Sequence, residues 1–178
     1  CPTRELALQI DQQIQGLAYF CNVTSMTIYG GGQTGDWKTQ KKALNSGVEI
    51  VVGTPGKLLS HLINDNISVD SIKHLILDEA DRMLDMGFYE DICRIISFLP
   101  EKRQTLLFSA TMPPKIRDLA KFIQNEPEEI SIAISKPAEK VLQAAYLTFD
   151  ENKLDVIDKL ISDKPEYKSV IIFTSTKK

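Results

Sequence analysis

Short apolar runs alternate with amphipathic stretches along much of the chain. Runs rich in Val, Ile and Leu that are bounded by turn residues are typical of buried parallel strands, and apolar residues at helical spacing predict helices. The pattern predicts strands at 24–29, 49–53, 74–77, 104–108 and 128–134. It predicts helices from Thr3 to Leu17, after Lys38, and at 58–63, 83–98 and 113–124, the fourth with a break near Gly87. Strands that alternate with helices in this way indicate an α/β fold with a parallel sheet.

The alternation is interrupted at 135–141, where the sequence is polar, contains a proline and lacks periodicity. We interpret 135–141 as an interdomain linker. Beyond it, predicted strands at 142–149 and 170–174 flank a predicted helix at 152–161, which together make one β-α-β unit. The sequence therefore predicts a first domain over 1–134 and the beginning of a second domain over 142–178.

Composition limits what such a chain can be. Its 178 residues, 43% of them hydrophobic, suffice for one core and are too few for two complete α/β domains. The formal charge of −3 excludes a broad basic surface that binds nucleic acid by charge alone, so any such site must be a narrow track. Because the chain begins without Met and stops just after a predicted strand, we expect it to be part of a longer protein.

The cysteines and histidines give little sign of metal chemistry. The 3 cysteines are odd in number and lack paired metal-ligand spacing, so we expect reduced thiols in a cytoplasmic protein without structural zinc. His61 and His74 have no nearby ligand partner in the sequence, and we interpret both as structural. No apolar run approaches the ~20 residues of a membrane span, and no signal peptide opens the chain, so we expect no membrane partner. We expect a monomer.

Three carboxylates follow the predicted strand at 74–77, namely Asp78, Glu79 and Asp81. Carboxylates cannot lie inside a buried strand without partners, so they must occupy its end. In an α/β sheet the carboxyl ends of the strands border the ligand crevice, where acids suit a divalent cation and a phosphate. Asp78 would hold Mg²⁺ through water, and Glu79 would activate a water aimed at a γ-phosphate. The alternative is a strand that ends in a solvated acidic turn.

Other candidate residues lie at helix and strand ends. Thr3 is a predicted N-cap, and the free N–H groups behind it, with Arg4, suit a backbone phosphate. Thr54 is a second candidate cap ahead of a helix that starts with proline. For each helix the alternative is an ordinary capped end. The buried face of the first helix is predicted from the spacing of Leu6, Ile10, Ile14 and Leu17.

A glycine run and a pair of hydroxyls complete the candidates. The glycines that follow the strand at 24–29 would let a phosphate approach the main chain closely. Ser109 and Thr111 follow the strand at 104–108, and their hydroxyls could hydrogen-bond the carboxylates. Neither hydroxyl is a nucleophile candidate, because no His or Lys is visibly poised to activate it.

Taken together, these segments resemble the DEAD-box RNA helicases. Asp-Glu-Ala-Asp at 78–81, followed by Arg-Met-Leu-Asp-Met-Gly-Phe, is similar to the signature of that family. The segments at 2–7, 54–57, 109–111 and 170–176 resemble motifs Ia, Ib, III and IV. The resemblance covers essentially the whole chain. It implies an incomplete RecA-like parallel sheet flanked by helices, followed by the first β-α-β unit of a second RecA-like domain.

The resemblance also implies ligands and roles. ATP and Mg²⁺ would be the cofactors, and RNA, held by sequence-nonspecific backbone contacts, the partner. The catalytic set would be Glu79, Asp78, Asp81, Ser109 and Thr111, with Asp78 and Glu79 at the cofactor. The RNA-binding set would be Pro2, Thr3, Arg4, Gly30, Gly31, Thr54, Pro55, Gly56 and Lys57. Lys57 stands where the family more often has Arg, so it keeps the charge without the bidentate fork.

Parts of a complete helicase are absent from these residues. No Gly-x-x-x-x-Gly-Lys-Ser/Thr phosphate loop is present, and the glycine cluster at 30–35 lacks its ending. The resemblance implies that the loss of the phosphate-loop strand leaves a gap in the first sheet. We therefore expect the intact parent to be an ATP-dependent RNA helicase and the chain alone to be inactive. The alternatives are a non-enzymatic module that binds or anneals RNA by its backbone, and an ATP-dependent translocase on duplex DNA.

Overall fold

The computed structural model describes residues 1–31, 35–64, 67–132, 141–162 and 164–174, while the side chains of residues 35–37, 43 and 45 are not described. The chain divides into two compact units, Cys1–Glu129 and Ile130–Lys178. No helix among the described residues is long and apolar enough to cross a membrane. Residues 135–140 of the predicted linker at 135–141 lie outside the described residues, so the predicted domain boundary stays a prediction.

Helices and short strands alternate through the first unit. In chain order its elements are α1 Arg4–Leu17, a 3₁₀ turn Ala18–Phe20, β1 Ser25–Ile28, α2 Gly35–Asn45, β2 Ile50–Gly53, α3 Pro55–Ile63, β3 His74–Leu77, α4 Ala80–Asp85, α5 Tyr89–Phe98, β4 Gln104–Leu107 and α6 Pro114–Ile123. The second unit contains a 3₁₀ turn Asp150–Asn152 and α7 Lys153–Ile161. The predicted α/β class is confirmed. The predicted break in the fourth helix is also confirmed, and it lies at Gly87, whose φ of 84° favours glycine.

The strands are parallel, as their apolar runs predict. β1 pairs with β2, so that Ile28 lies opposite Gly53, and β3 pairs with β4, so that Leu77 lies opposite Leu107. The described strands form two separate two-stranded sheets, without the single continuous sheet of a complete domain. In each sheet the two parallel strands end at the same edge. The candidate residues at 30–31, 54–57, 78–81 and 109–111 follow those ends.

The main core lies beneath β3 and β4. Its buried members come from β3, α4, α5 and α6: Leu77, Ala80, Met83, Ile92, Ile96, Ile116, Leu119 and Ile123. A smaller cluster of Leu59, Leu62 and Ile95 joins α3 to α5. Burial of these aliphatic side chains fixes the direction in which β3 leaves the core, because each contributes roughly 1.5–3 kcal/mol when removed from water. The segment Asp-Glu-Ala-Asp at 78–81, here called the acidic tetrad, is thus attached to the larger of the two buried clusters.

Three predicted strands are wrong. No strand forms over the described parts of 128–134, 142–149 or 170–174. Apolar side chains that would be buried in a sheet are exposed there, with Ile130 at 82%, Leu142 at 94% and Phe173 at 91%. Their composition suits strands, but an extended segment is stable only when a neighbour pairs its N–H and C=O groups. The predicted helix between the last two does form, as α7.

The structure also tests several smaller predictions. Leu17 is 82% exposed and does not belong to the buried face of α1, because the helix ends there in a 3₁₀ turn. The helix predicted from residue 83 begins earlier, at Ala80. His61 is fully buried on α3, its Nε2 2.9 Å from Oε1 of Gln40, which confirms a structural role. His74 is exposed.

Candidate functional site

A sharp turn at Glu79 carries the chain from β3 into α4. Glu79 has φ 51° and ψ 50°, the left-handed region that non-glycine residues seldom adopt. Two backbone hydrogen bonds hold the turn against β4: Phe108 N–H donates to the Leu77 carbonyl at 2.8 Å, and Ala80 N–H donates to the Phe108 carbonyl at 3.0 Å. The tertiary structure therefore keeps Glu79 in this conformation at a cost of roughly 1–2 kcal/mol.

Asp81 binds the hydroxyl residues that follow β4. Its Oδ2 accepts hydrogen bonds from the Thr111 hydroxyl at 2.7 Å and the Thr111 N–H at 2.9 Å. The Ser109 hydroxyl oxygen accepts the Asp81 N–H at 3.2 Å and donates its own hydrogen to the Thr111 carbonyl at 2.7 Å. The predicted hydrogen bond from a hydroxyl to a carboxylate is confirmed for Thr111, whereas the Ser109 hydroxyl hydrogen-bonds the main chain of Asp81 and Thr111. These hydrogen bonds join the ends of two neighbouring strands.

This network keeps Asp81 ionised. The Thr111 hydroxyl is the main cause that lowers the pKa of Asp81 below its usual value, with the N–H groups of Arg82 and Thr111 and the Ser109 hydroxyl adding to the effect. Partial burial opposes the shift. Asp81 is therefore a fixed anion whose oxygens are already used by protein donors. Such a group can position its neighbours but has little capacity left for a metal ion.

Unlike Asp81, Asp78 and Glu79 each retain a carboxylate oxygen that can accept a further hydrogen bond. Asp78 is half-buried, and only its Oδ1 has a hydrogen bond, from the Glu79 N–H at 3.0 Å. Glu79 forms an ion pair with Arg82, Oε2 to Nη1, at 3.0 Å. That pair is exposed, 41% for Glu79 and 56% for Arg82, so it is worth at most about 1 kcal/mol and can open readily. A cleft of about 270 Å³ is lined by Glu79, Asp81, Arg82, Asp85 and Ala110.

The acidic group fits a water-mediated cation better than a directly coordinated one. Among the described residues, no group of three His, Cys, Asp or Glu side chains could hold a metal ion. Asp78 has one oxygen without a hydrogen bond, and Mg²⁺ commonly retains several waters while it contacts one or two carboxylates and the phosphates of its nucleotide. The residues present therefore fit Mg²⁺ held by Asp78 through water.

The two helix N-termini lie at the same edge as the acids. The Cys1 nitrogen donates to the Gly53 carbonyl at 3.1 Å, which ties the segment before α1 to the end of β2. The same nitrogen is close enough to Asp78 and Glu79 to interact with their charges. The segment before α1 therefore lies between the end of β2 and the acidic turn after β3.

The first of these termini is built as predicted. Thr3 caps α1, its hydroxyl accepting the Leu6 N–H at 3.3 Å. Pro2 is fully buried beside it, and Arg4 is exposed with its guanidinium 4.8 Å from the centre of the Tyr29 ring. An ordered N-terminus, a positive dipole end and an exposed guanidinium are suited to an anion.

The second terminus differs in one respect. Thr54 has extended backbone geometry ahead of α3, but its hydroxyl makes no capping hydrogen bond, so that prediction is wrong. Thr54 uses its main chain instead, and its N–H donates to the Ile28 carbonyl at 2.9 Å. Pro55 is buried, and Gly56 and Lys57 are half-buried. The first turn of α3 is thus held by packing and by main-chain contact with β1.

Glycines lie at the ends of β1 and β2. Gly53 faces the Ile28 carbonyl so closely that an added Cβ would lie 3.1 Å from the oxygen. Gly30 and Gly31 are exposed just after Tyr29, and Gly31 has φ 88°, where a glycine is favoured. Of the other glycines in the predicted cluster, Gly32 lies outside the described residues and Gly35 begins α2.

The sequence analysis missed two side chains of this edge. Arg82 pairs with Glu79 at a spacing of three residues along a helix, a pattern that could have been found in the sequence. Tyr29 contacts Arg4 across 25 positions, and no local pattern predicts such a contact. The structure brings Asp81, Ser109 and Thr111 into direct contact. It leaves the predicted RNA-binding residues as separate groups along the edge.

Comparison with known families agrees with this arrangement. The profile for DEAD/DEAH box helicases matches residues 1–119, which is more than half of the chain. The chain belongs to the DEAD/DEAH box helicase family. The matched region includes the acidic tetrad, the hydroxyl residues after β4 and both helix N-termini. The resemblance inferred from the motifs is therefore confirmed.

Individual relatives of this DEAD/DEAH box helicase chain are bacterial. It is 38% identical over 179 aligned positions to the DEAD-box ATP-dependent RNA helicase CshA of Geobacillus kaustophilus, covering 99% of this chain and 37% of the relative. It is 40% identical over 179 positions to the ATP-dependent RNA helicase DbpA of Escherichia coli, covering 100% of this chain and 38% of the relative. The chain thus spans little more than a third of the length of these curated relatives.

Proposed function

We propose that the intact protein containing this chain is an ATP-dependent RNA helicase, which couples RNA-stimulated ATP hydrolysis to local unwinding of RNA duplexes or remodelling of RNA–protein complexes. The observation that carries the proposal is the hydrogen-bonded link between Asp81 and Thr111 beside Asp78 and Glu79. It connects the acidic turn after β3 to the end of β4 and leaves two carboxylates available for chemistry. The names of the relatives support the same activity.

In this proposal each acidic residue has a separate task. Asp78 holds Mg²⁺ through water, and the ion supplies positive charge against the phosphates of ATP. Glu79 leaves its exposed ion pair with Arg82 and accepts a proton from the attacking water. Asp81, Ser109 and Thr111 keep the two strand ends in register, so that a displacement at one end reaches the other.

The RNA partner is held by its backbone. Thr3 and Arg4 at α1 and Gly56 and Lys57 at α3 offer main-chain N–H groups and positive charge to phosphates, while Pro2, Thr54 and Pro55 shape the two helix starts. Gly30 and Gly31 let a strand approach closely. Such contacts position a strand without reading its bases, so binding is independent of sequence. With a net charge of −3, the remaining surface adds little to affinity. We further propose a monomeric, cytoplasmic protein with no membrane partner.

The proposed architecture is that of two RecA-like domains. Residues 1–134 belong to the first domain and 142–178 to the second, joined by the linker at 135–141. These 178 residues alone do not turn over ATP, because Asp78 and Glu79 lack the lysine and arginines that neutralise the transferring phosphoryl group. Measurable RNA-stimulated turnover by the purified 178-residue chain would contradict this statement.

The decisive experiment is steady-state phosphate release by the intact protein with and without single-stranded RNA. Wild type is compared with Glu79→Gln, which removes the base, and with Glu126→Gln as a control at an exposed residue of the same unit. We expect RNA stimulation in wild type and control, and a loss of at least about 100-fold in Glu79→Gln, the lower range for removal of a general base. A Glu79→Gln variant as active as wild type would overturn the proposal.

Two competing functions make different predictions in the same assay. A non-enzymatic RNA-annealing module gives no RNA-stimulated phosphate release and unchanged RNA binding in Glu79→Gln. A translocase on duplex DNA is stimulated by double-stranded DNA at least as well as by RNA. The hydrogen bonds between Asp81 and Thr111 favour the helicase over the RNA-annealing module. A protein that only binds the RNA backbone does not require carboxylates to be held beside a second strand.

A further inference from the structure

Arg4 and Tyr29 form a contact that the proposed function does not use. The guanidinium carbon of Arg4 lies over the Tyr29 ring, 4.8 Å from its centre, which is within cation–π range. Arg4 is exposed, whereas Tyr29 is half-buried directly after β1. The ring is attached to a strand end, next to the fully buried Ile28. It therefore offers a fixed surface to a long side chain that solvent alone would leave mobile.

The place of Arg4 in the helix suggests why it needs such a surface. Arg4 is the first residue of α1, where the helix dipole is positive and an added cation is unfavourable. In the described ranges, no carboxylate forms an ion pair with Arg4. The Tyr29 ring is thus the partner that the structure gives this guanidinium. An anion bound beside α1 would reverse the unfavourable electrostatics.

The geometry leaves the guanidinium suitable for that anion. The contact with the ring involves no N–H donor of Arg4 in a hydrogen bond to Tyr29, and a guanidinium can donate two hydrogen bonds to one phosphate. Tyr29 also precedes Gly30 and Gly31, the turn that lets a strand come close to the main chain. The ring, the cation and the turn therefore lie together at the edge where α1 begins.

We propose that Tyr29 is a positioning residue for RNA binding, whose ring orients the Arg4 guanidinium towards a backbone phosphate. The inference rests on the proposed function, because it requires that Arg4 contact RNA. Tyr29 itself does not contact RNA. The aromatic ring is the part that matters, so phenylalanine can replace tyrosine and leucine cannot.

A double-mutant cycle on the intact protein tests this assignment. The probe is a fluorescently labelled single-stranded RNA oligonucleotide, and its dissociation constant is measured by anisotropy for wild type, Arg4→Ala, Tyr29→Leu, Tyr29→Phe and the double variant Arg4→Ala/Tyr29→Leu. Tyr19→Leu is the matched control, because Tyr19 is an exposed tyrosine whose ring contacts that of Phe20. Thermal unfolding of each variant separates positioning from folding.

The expected pattern is specific. Arg4→Ala weakens binding about ten-fold, as the loss of a charge-assisted hydrogen bond predicts. Tyr29→Leu weakens it about three-fold, in line with an exposed cation–π contact, and Tyr29→Phe and Tyr19→Leu leave it unchanged. The double variant binds like Arg4→Ala alone, because Tyr29 acts only through Arg4. The salt dependence of binding falls in Arg4→Ala by about 0.7 in logarithmic slope for each phosphate that Arg4 neutralises in wild type.

Each other outcome overturns either the RNA contact of Arg4 or the positioning role of Tyr29. If Arg4→Ala binds RNA like wild type, the RNA contact of Arg4 in the proposed function is wrong. If Arg4→Ala weakens binding and Tyr29→Leu does not, only the positioning role is wrong. Additive effects in the double variant overturn positioning and assign Tyr29 its own contact with RNA. Equal losses in Tyr29→Leu and Tyr29→Phe, with lower unfolding temperatures, overturn it in favour of a structural role.

Discussion

The Thr111 hydroxyl donates a 2.7 Å hydrogen bond to Asp81 Oδ2, across 30 positions of the chain. The Thr111 N–H donates to the same oxygen at 2.9 Å. One carboxylate oxygen thus joins the turn after β3 to the segment after β4. A change in the position of either strand end must strain or break these hydrogen bonds. Together with the main-chain hydrogen bond from Ala80 to Phe108, they link the acidic turn to the end of β4.

Replacement of Thr111 by Val tests that link, because it removes the hydroxyl and keeps the N–H. We expect the free energy of unfolding to fall by about 1 kcal/mol, which is less than the roughly 1.5–3 kcal/mol typical of a hydrogen bond to a charged group, because the pair is largely exposed. Urea denaturation of the 178-residue chain measures the change. Thr27→Val in β1 is the control, since Thr27 is half-buried and lies away from the acidic turn. Equal losses in the two variants would show that the hydroxyl of Thr111 has no special role.

Thr111→Val should also alter how the free energy of unfolding depends on pH in the acidic range. The pKa of Asp81 is lower in the folded chain than its usual 3.8, chiefly because of the Thr111 hydroxyl. Its contribution is therefore present above pH 3.8 and is lost as pH falls through the folded pKa. In Thr111→Val the difference from wild type should shrink at acid pH. A difference that stays constant down to the acid-unfolded state would contradict this account.

His61 should make stability depend on pH in a higher range. Burial, and then the charge of Lys57, lowers the pKa of His61 in the folded chain below its usual 6.5. Below pH 6.5 the unfolded chain therefore binds a proton that the folded chain does not, so the free energy of unfolding falls as pH decreases from that value. Urea denaturation at about pH 7.5 and about pH 5.5 measures the effect, on either side of a normal histidine pKa.

The matching variant replaces both members of the buried pair, His61 and Gln40, with leucine. Removal of both polar partners avoids a buried group without a hydrogen bond. We expect the double variant to lose most of the pH dependence between those two values, and His74→Leu to keep it, because His74 is exposed. The assignment to His61 would be wrong if His74→Leu abolished the dependence and the double variant kept it.

Because Glu79 has a left-handed backbone conformation, its replacement by a residue that favours this conformation should raise stability while it removes activity. Asn adopts the left-handed region more readily than Glu, so Glu79→Asn should raise the free energy of unfolding by about 0.5 kcal/mol after loss of the Arg82 ion pair. In the intact protein it should abolish RNA-stimulated ATP hydrolysis. Glu126→Asn is the matched control, since Glu126 has φ 45°, and it should stabilise without loss of activity. Destabilisation in both variants would show that positive φ is not a source of strain here.

Two glycines should respond to alanine in opposite directions. In Gly53→Ala the new Cβ would lie 3.1 Å from the Ile28 carbonyl, which also accepts the Thr54 N–H, so the free energy of unfolding should fall by about 1–3 kcal/mol. Gly16 lies within α1 with nothing near its Cβ position, so Gly16→Ala should raise it by about 0.5–1 kcal/mol. Denaturation of both variants under one set of conditions measures the contrast. Similar changes in the two would exclude steric contact as the cause.

Much of the fold could be predicted from local patterns. The apolar runs at β1 to β4 and the helical spacing of α1, α5 and α6 are properties of single segments, and the structure confirms them. The runs at 128–134, 142–149 and 170–174 have the same composition, and their described residues form no strand. Composition expresses the preference of a segment, whereas a strand also needs a neighbour that pairs with it.

The sequence by itself determined the chemistry of the site: Asp78, Glu79 and Asp81 after an apolar run, hydroxyls after the next run, and Arg4 and Thr3 at a helix start. Only the tertiary structure decided which of these meet. It binds Asp81 to Thr111, pairs Glu79 with Arg82, and sets Arg4 on Tyr29. The physical reason is range: residue type and spacing act within a few positions, whereas contacts between strand ends depend on how burial of Leu77, Ile116 and Leu119 orients whole elements.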